Sequence, residues 1–578
     1  KAKAACAAAG EDPSGGEAGA AARSPKRHKG GPAPGALWPR WEKLGADAER
    51  AEAQLAKAQG AFAFAFVEGA LVRAIREGHW ILLDEINLAP AETLERVVGV
   101  LEGDDGSVCI TERGDVEAVP RHPDFRLVGC MNPATDVGKK DLPMALKQRF
   151  TEVYVAEAIA REDLAPVVAG YLQRVPGAPV DAVVDFYLAA REEAQHSLLD
   201  GAMQKPQYSL RTLCRALEYT RAALPIYGLL RGLYDGFAMS FLTLLQRQCF
   251  PVMEKLLSKH LLQGAAPKTL MRAPAEPASG EHVLFQQFWV ERGEHAVIEA
   301  KGYVRTASVS EHLLNLARAV QVRRYPILLQ GPTSAGKTSL VQHLAECTGH
   351  RFMRINNHEH TELQEYVGSY VADSAGKLSF QEGALVQAVR RGYWIVLDEL
   401  NLAPTDVLEA LNRLLDDNRE LFVPELQEAI KPHPHFMLFA TQNPPGVYGG
   451  RKVLSKAFRN RFLELHVDDI PHEELTVILN KRCEIPPSYC KKLVEVMQEL
   501  QRVRQGSNVF AGKHGFITPR DLFRWAERRA NGYQELAEDG YMILAERLRS
   551  EDEKEVVRVT LEKLLKAKID PTEVYGRE

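Results

Sequence analysis

Long apolar runs are missing from this chain of 578 residues. The nearest, residues 237–245, is core-sized and far short of a helical membrane span. Paired cysteines are missing as well. Eight are scattered along the chain with no C-x-x-C spacing, so neither a zinc site nor a disulfide framework is indicated, and a reducing compartment fits best. Net charge is small, −5, which removes any bulk electrostatic argument for nucleic acid or a membrane surface. Basic stripes interleaved with aromatics are absent, so there is no motif for direct nucleic-acid binding. Methionine comes late: the chain opens at Lys1 and its first methionine is Met131, with no secretory signal. It therefore reads as an excerpt, or an incomplete gene model, of something longer. What remains is ordinary for soluble globular protein, 45% hydrophobic and 26% charged. The length suggests about three to five domains.

The densest chemistry lies in residues 325–344, YPILLQGPTSAGKTSLVQHL. Gly331, Gly336, Lys337 and Thr338 stand in the spacing G-x-x-x-x-G-K-[ST] of a phosphate-binding loop. Ile327, Leu328 and Leu329 before it read as a short buried strand. Leu340, Val341, Leu344 and Ala345 after it recur at helical spacing. Glycines let backbone N–H groups approach phosphates closely, and a helix N-terminus adds partial positive charge. The cradle would run through Gly331, Pro332, Thr333, Ser334, Ala335 and Gly336. Lys337 would reach the β- and γ-phosphates of ATP, and Thr338 would hold Mg²⁺.

Taken in order, residues 1–60 are rich in Ala, Gly, Pro and Lys and are expected to be disordered. They contain a basic cluster at 23–29, readable as a nuclear import signal or a solvated charge run, and an Ala-rich helical stretch at 49–59. Residues 66–78, FVEGALVRAIREG, read as an amphipathic helix. The run 80–83 then reads as a buried strand delivering Asp84 and Glu85 to its C-terminal edge, where open α/β sheets bind ligands.

The same text returns at 380–392, FQEGALVQAVRRG, followed by a strand ending in Asp398 and Glu399, 314 residues after the first acids. Asn132 pairs with Asn443, Arg149 with Arg461, and Arg211 with Arg520, at offsets of 311, 312 and 309. Four landmarks in one order are an internal repeat of a whole domain. The repeat is lopsided, because no second phosphate loop precedes residue 66. The expected division is a disordered tail at 1–60, a partial module with its helical lid at 61–262, and a linker with short strands at 263–300. A large α/β subdomain at 301–470 and a helical lid at 471–578 follow.

In the second copy Asp398 would complete Mg²⁺ coordination with Thr338, directly or through water. Glu399 would orient and polarise the attacking water. Asn443, at the edge of a buried strand, would hydrogen-bond the γ-phosphate or the water, the alternative being a plain turn residue before Pro444. Arg461 carries the guanidinium suited to charge developing on a transferring phosphoryl group, whereas Arg459 fits a surface salt bridge better.

These residues resemble the AAA+ ATPases, in particular the dynein-related clade that strings several modules on one chain. The blocks 354–360, 380–385, 394–404, 411–418 and 510–516 are most similar to its ribosome-assembly branch. The resemblance covers about residues 62–578 and implies an α/β fold: tandem AAA+ modules, each a parallel-sheet P-loop core with a helical lid, the first N-terminally incomplete. It makes residues 331–338 Walker A, Asp398 and Glu399 Walker B, Asn443 sensor 1, Arg461 the arginine finger and Arg520 a sensor 2. Asp84, Glu85, Asn132, Arg149 and Arg211 are the first-module counterparts. It implies ATP and Mg²⁺ as cofactors, neighbouring AAA+ modules of a longer chain as partners, and action on pre-60S ribosomal particles with their assembly factors in the nucleus and nucleolus. No membrane partner is implied. A nucleotide-binding module with a structural role is the second expectation, and a dynein-like motor segment the third, weakened by the lack of a long heptad stalk.

Overall fold

The computed structural model describes residues 68–574 except 104–105, 112–117, 133–140, 174, 266, 271–273, 275–276, 278–279, 299–301, 373–377, 417–418, 427, 445–452 and 507–516. The tail expected at 1–60, its basic cluster, the helix at 49–59 and the block at 510–516 lie outside the described residues. The described residues fall into two compact units, one within 68–132 and 141–151, the other within 152–574.

In the first unit, helix α1 (Ala70–Glu77) leads to strand β1 (Trp80–Leu83), helix α2 (Ala91–Val100) and strand β2 (Arg126–Gly129). The two strands pair in parallel, Trp80 opposite Arg126. Ile75, Val100 and Phe125 bury one face, with Ile81 and Leu127 packed on them. The other face is open: Trp80 is 77% and Leu82 60% exposed. The expectation of a buried strand is thus corrected for β1, because among the described residues the sheet has only these two strands. The helix also starts later than the pattern suggested, after Gly69.

The larger unit opens with a helical bundle, α3 (Arg161–Leu172), α4 (Val180–His196), α5 (Leu210–Tyr227), α6 (Leu229–Phe237) and α7 (Phe250–His260). Phe186, Tyr187, Phe237 and Phe241 form its core, with edge-to-face and stacked rings. A hairpin, β3 (His282–Phe285) with β4 (Phe288–Glu291), turns at Gln286. The segment 296–298, expected as a strand, is irregular.

The α/β core follows: α8 (Ala307–Gln321), β5 (Ile327–Gln330), α9 (Lys337–Thr348), β6 (Phe352–Asn356), the hairpin β7 (Gly368–Ala372) and β8 (Leu378–Glu382), α10 (Ala384–Arg391), β9 (Trp394–Asp398), β10 (Met437–Gln442) and β11 (Leu463–His466). Five of these strands form one parallel sheet in the order β11-β5-β10-β9-β6. Strands β5, β9 and β10 are buried along their whole length, as expected when both faces are covered. Residues 380–382, which repeat the start of the stretch read as a helix at 66–78, are the end of β8 instead. Gly383 breaks it: a Cβ there would lie 2.5 Å from the carbonyl oxygen of Tyr366, so the chain passes too close for a side chain. The second helical subdomain, α11 (His472–Cys483), α12 (Pro487–Gly506), α13 (Pro519–Ala526), α14 (Tyr533–Leu544) and α15 (Glu551–Leu565), closes around Trp525 and Leu493.

The first bundle is stitched to the α/β core. Backbone N–H of His466 donates to the carbonyl of Thr243 (2.8 Å), the Thr243 hydroxyl to Glu464 O (3.1 Å) and Arg215 Nη1 to Phe462 O (2.9 Å). Deeper in, Asp235 of α6 receives Arg231 Nε (3.2 Å) and Arg318 Nε of α8 (2.9 Å), all three residues buried.

Two histidines sit neutral in this core. His343 stacks on Tyr303, centroids 3.9 Å apart, and accepts from Arg305 Nε at 3.1 Å. Burial, then Arg305, brings its pKa down to about 4. His350 stacks on Trp394, and burial, then His435, brings it down to about 3. The unfolded chain therefore takes up these protons first, below about 6.5. The stability each contributes is full above that value and is lost as pH falls towards the folded pKa. Between pH 7 and 5 each should remove about 2 kcal/mol of stability. Urea unfolding across that range checks this, and His350→Gln should flatten the slope.

Candidate nucleotide site

The sheet order sets the site. Strand β5 lies between β11 and β10, so the chain reverses direction of winding there and leaves a crevice at the C-terminal edge. The loop after β5 enters it. Gly331 has no room for a side chain, since a Cβ would meet Val467 O at 2.1 Å. Gly336 stands at the N-cap of α9 in the left-handed region, φ 87°, which glycine reaches without strain.

Lys337 is buried at 7% exposure. Its Nζ donates to Gly331 O (2.9 Å), Pro332 O (2.7 Å) and Asn443 Oδ1 (2.8 Å). Thr338 Oγ1 lies 3.2 and 3.3 Å from the two carboxylate oxygens of Asp398. Thr441 also donates to Asp398, and Arg354 pairs with it. Glu399 turns into the left-handed region, φ 52°, as β9 ends. Its N–H donates to Thr441 Oγ1 (3.0 Å), and its Oε1 accepts from Asn443 Nδ2 (3.3 Å). Asn443 thus bridges the lysine and the acid. Asn401 Nδ2 holds the Asn443 carbonyl at 3.1 Å.

Arg354, Lys337, Thr338, Asp398, Glu399, Thr441 and Asn443 line a cavity of about 1070 Å³. Val304, Val309, Ile470, Ile478 and Phe523 add apolar lining, and Arg482, Arg520 and Arg524 come from the second helical subdomain. The buried hydroxyls of Thr333 and Ser334 have no hydrogen-bond partner among the described residues. Orphaned donors on a glycine-bounded loop fit phosphate oxygens. Thr338 and Asp398 offer hard oxygen donors side by side, the chemistry that Mg²⁺ takes.

Of the residues singled out in the second copy, the structure brings residues 333–338, Asp398, Glu399, Asn443 and Arg520 into one cavity. Arg461 is not among its lining residues; its Nε donates to Asp416 Oδ1 at 2.6 Å. Arg459 pairs with Glu464 (2.6 Å) and Asp200 (3.3 Å), at 15% exposure, an inner ion pair rather than a surface one. The sequence reading missed Arg354, Thr441 and Asn401. Asn401 did carry a signal, because Asn87 repeats it in the first copy.

The first unit repeats this geometry. Asn132 Nδ2 donates to Glu85 Oε1 (3.1 Å), Asn87 Nδ2 to Asn132 O (3.1 Å), and Glu85 has φ 53°. Asp84 precedes it at the end of β1, and its Oδ1 caps the Glu85 N–H at 3.1 Å. Arg149 pairs with Glu102 at 2.6 Å, as Arg461 does with Asp416. Arg211, on α5 of the larger unit, lines a second cleft of about 250 Å³ with Arg215 and Arg459.

Comparison with known proteins agrees with this duplication. The AAA domain of the dynein-related subfamily matches residues 55–150 and 326–462. Two midasin AAA lid domains match residues 163–264 and 474–568. Midasin of Dictyostelium discoideum is 56% identical over 552 residues, 93% of this chain and 9% of that protein. The chain belongs to the midasin family of AAA+ ATPases. Midasin of Giardia intestinalis is 37% identical over 535 residues, 87% of this chain and 11% of the relative. A denitrification regulatory protein, NirQ of Stutzerimonas stutzeri, is 33% identical over 180 residues, 31% of this chain and 65% of its own. The chain thus spans about a tenth of the length of the curated midasins it matches. As in other AAA+ proteins, the domain of this midasin-family chain is a nucleotide-binding one.

Lys337→Ala removes the ammonium that bonds the loop carbonyls. A charge-assisted hydrogen bond contributes about 1.5–3 kcal/mol, so nucleotide affinity should fall roughly 10- to 100-fold. Calorimetric titration with Mg–ATP, on material shown folded by circular dichroism, measures it.

Proposed function

We propose that this chain binds Mg–ATP in the cavity beside β5 and hydrolyses it as part of a mechanoenzyme. The hydrogen-bonded line from Lys337 through Asn443 to Glu399 supports this reading most directly, at 2.8 and 3.3 Å. It couples the group that would feel the terminal phosphate to the carboxylate that would act on water.

The loop amides and Lys337 bind and orient the triphosphate. Thr338 and Asp398 would hold Mg²⁺, which supplies neutralisation of phosphate charge when bound. Glu399 positions the water and accepts its proton, while Asn443 keeps that carboxylate in place. Arg520, carried by α13 of the helical subdomain, lines the same cavity and would reach the phosphates. The pair Arg461–Asp416 lies outside this cavity, which fits a finger that serves a neighbouring module. The cavity beside β5 would then take its own finger from another module, and the chain alone should turn over slowly.

Membership of the midasin family supports reading the work as remodelling of pre-60S ribosomal particles during large-subunit maturation and export; the nucleus and nucleolus as its place, and adjacent AAA+ modules as immediate partners, are part of the same proposal. Glu399→Gln in the full-length protein tests the hydrolytic reading. Loss of a general base should lower ATPase activity by about 100-fold or more while leaving Mg–ATP affinity within about twofold. An unchanged rate and unchanged particle release would leave the pocket with a structural role.

A further inference from the structure

Asp398 has more claimants than a magnesium ligand needs. Thr338 donates to both its oxygens, Thr441 to Oδ1, and the guanidinium of Arg354 pairs with Oδ2. Arg354 stands on β6 beside β9, opposite Val396, so strand register delivers it to the acid. Its side chain is 48% exposed and lines the same cavity as the phosphate loop. Lys337 and Arg520 already provide cations for a triphosphate, so the fold does not need a further one merely to bind phosphate.

A carboxylate oxygen tied to a guanidinium is a poorer ligand for a second cation, because the two positive charges repel across a few ångströms. The converse also holds. An unpaired Asp398 next to Glu399 would repel incoming phosphates. Resting on the nucleotide reading above, we propose that Arg354 is a positioning residue that shares Asp398 with the divalent cation. Held on Oδ2, it neutralises the acid and lets nucleotide enter without metal. When the ion takes the carboxylate, the guanidinium gives up Oδ2 and turns to solvent, which its half-exposed side chain allows. Arg354 therefore sets how strongly nucleotide binding depends on metal.

The test is the affinity of the chain for a fluorescent ATP analogue, measured with magnesium and again with EDTA. In Arg354→Gln the ratio of the two dissociation constants should rise about tenfold over the unsubstituted chain, as metal-free binding weakens and metal-bound binding holds or tightens. Arg354→Lys, which keeps the charge, should stay within about threefold of the original ratio. A structural role would weaken both conditions alike, so a ratio unchanged within about twofold in Arg354→Gln, or lowered, overturns the proposal. The unsubstituted chain gives a second reading that needs no variant. Metal-free binding should be less than about 100-fold weaker than binding with magnesium, and a greater loss overturns the proposal. Absence of binding in both conditions would sink the nucleotide reading itself.

Discussion

A buried ammonium governs this structure. Lys337 places its charge inside the α/β core, where an unsolvated cation without acceptors would be strongly destabilising. Neutral oxygens receive it, among them the carbonyls of Gly331 and Pro332 in its own loop and the side chain of Asn443, just past the end of the neighbouring strand. One atom thereby fixes the curl of the loop and its distance from β10. Because Asn443 also bonds Glu399, the position of the acid follows from the same constraint. Replacing the lysine would loosen three elements at once.

The sheet makes that constraint achievable. A parallel order with β5 between β11 and β10 brings loop, acid and amide to a single edge although they are far apart in sequence. The left-handed turns at Glu399 and at Glu85 share one purpose. Each swings a carboxylate away from the strand axis towards an asparagine side chain. Two copies with the same turn, the same amide contact and the same arginine–acid pair show that duplication kept the wiring as well as the strands.

How much of this could be read from the chain depended on the range over which each feature is specified. The phosphate loop is contiguous, and its glycines answer local steric demands, so it was legible at once. The Asp-Glu pairs were legible because a run of apolar residues ends on them in both copies. Arg354 and Thr441 were not, since their contacts with Asp398 span 44 and 43 residues and exist only after β6, β9 and β10 take their register. Position 380 was misread because helical and strand periodicity cannot be told apart over three residues. Only the close passage of Gly383 past Tyr366 decides it. The open face of β1 was illegible for a related reason: WILL is apolar on both sides, while burial depends on neighbours the strand itself does not encode.

The bonds from Thr243 and Arg215 to residues 462–466 have a mechanical consequence. They grip the main chain of β11, not movable side chains, and β11 runs directly beside β5. Gly331 in turn sits with no clearance against Val467. Tension applied to the first helical bundle would therefore arrive at the phosphate cradle as shear along one strand, with no slack joint in between to absorb it.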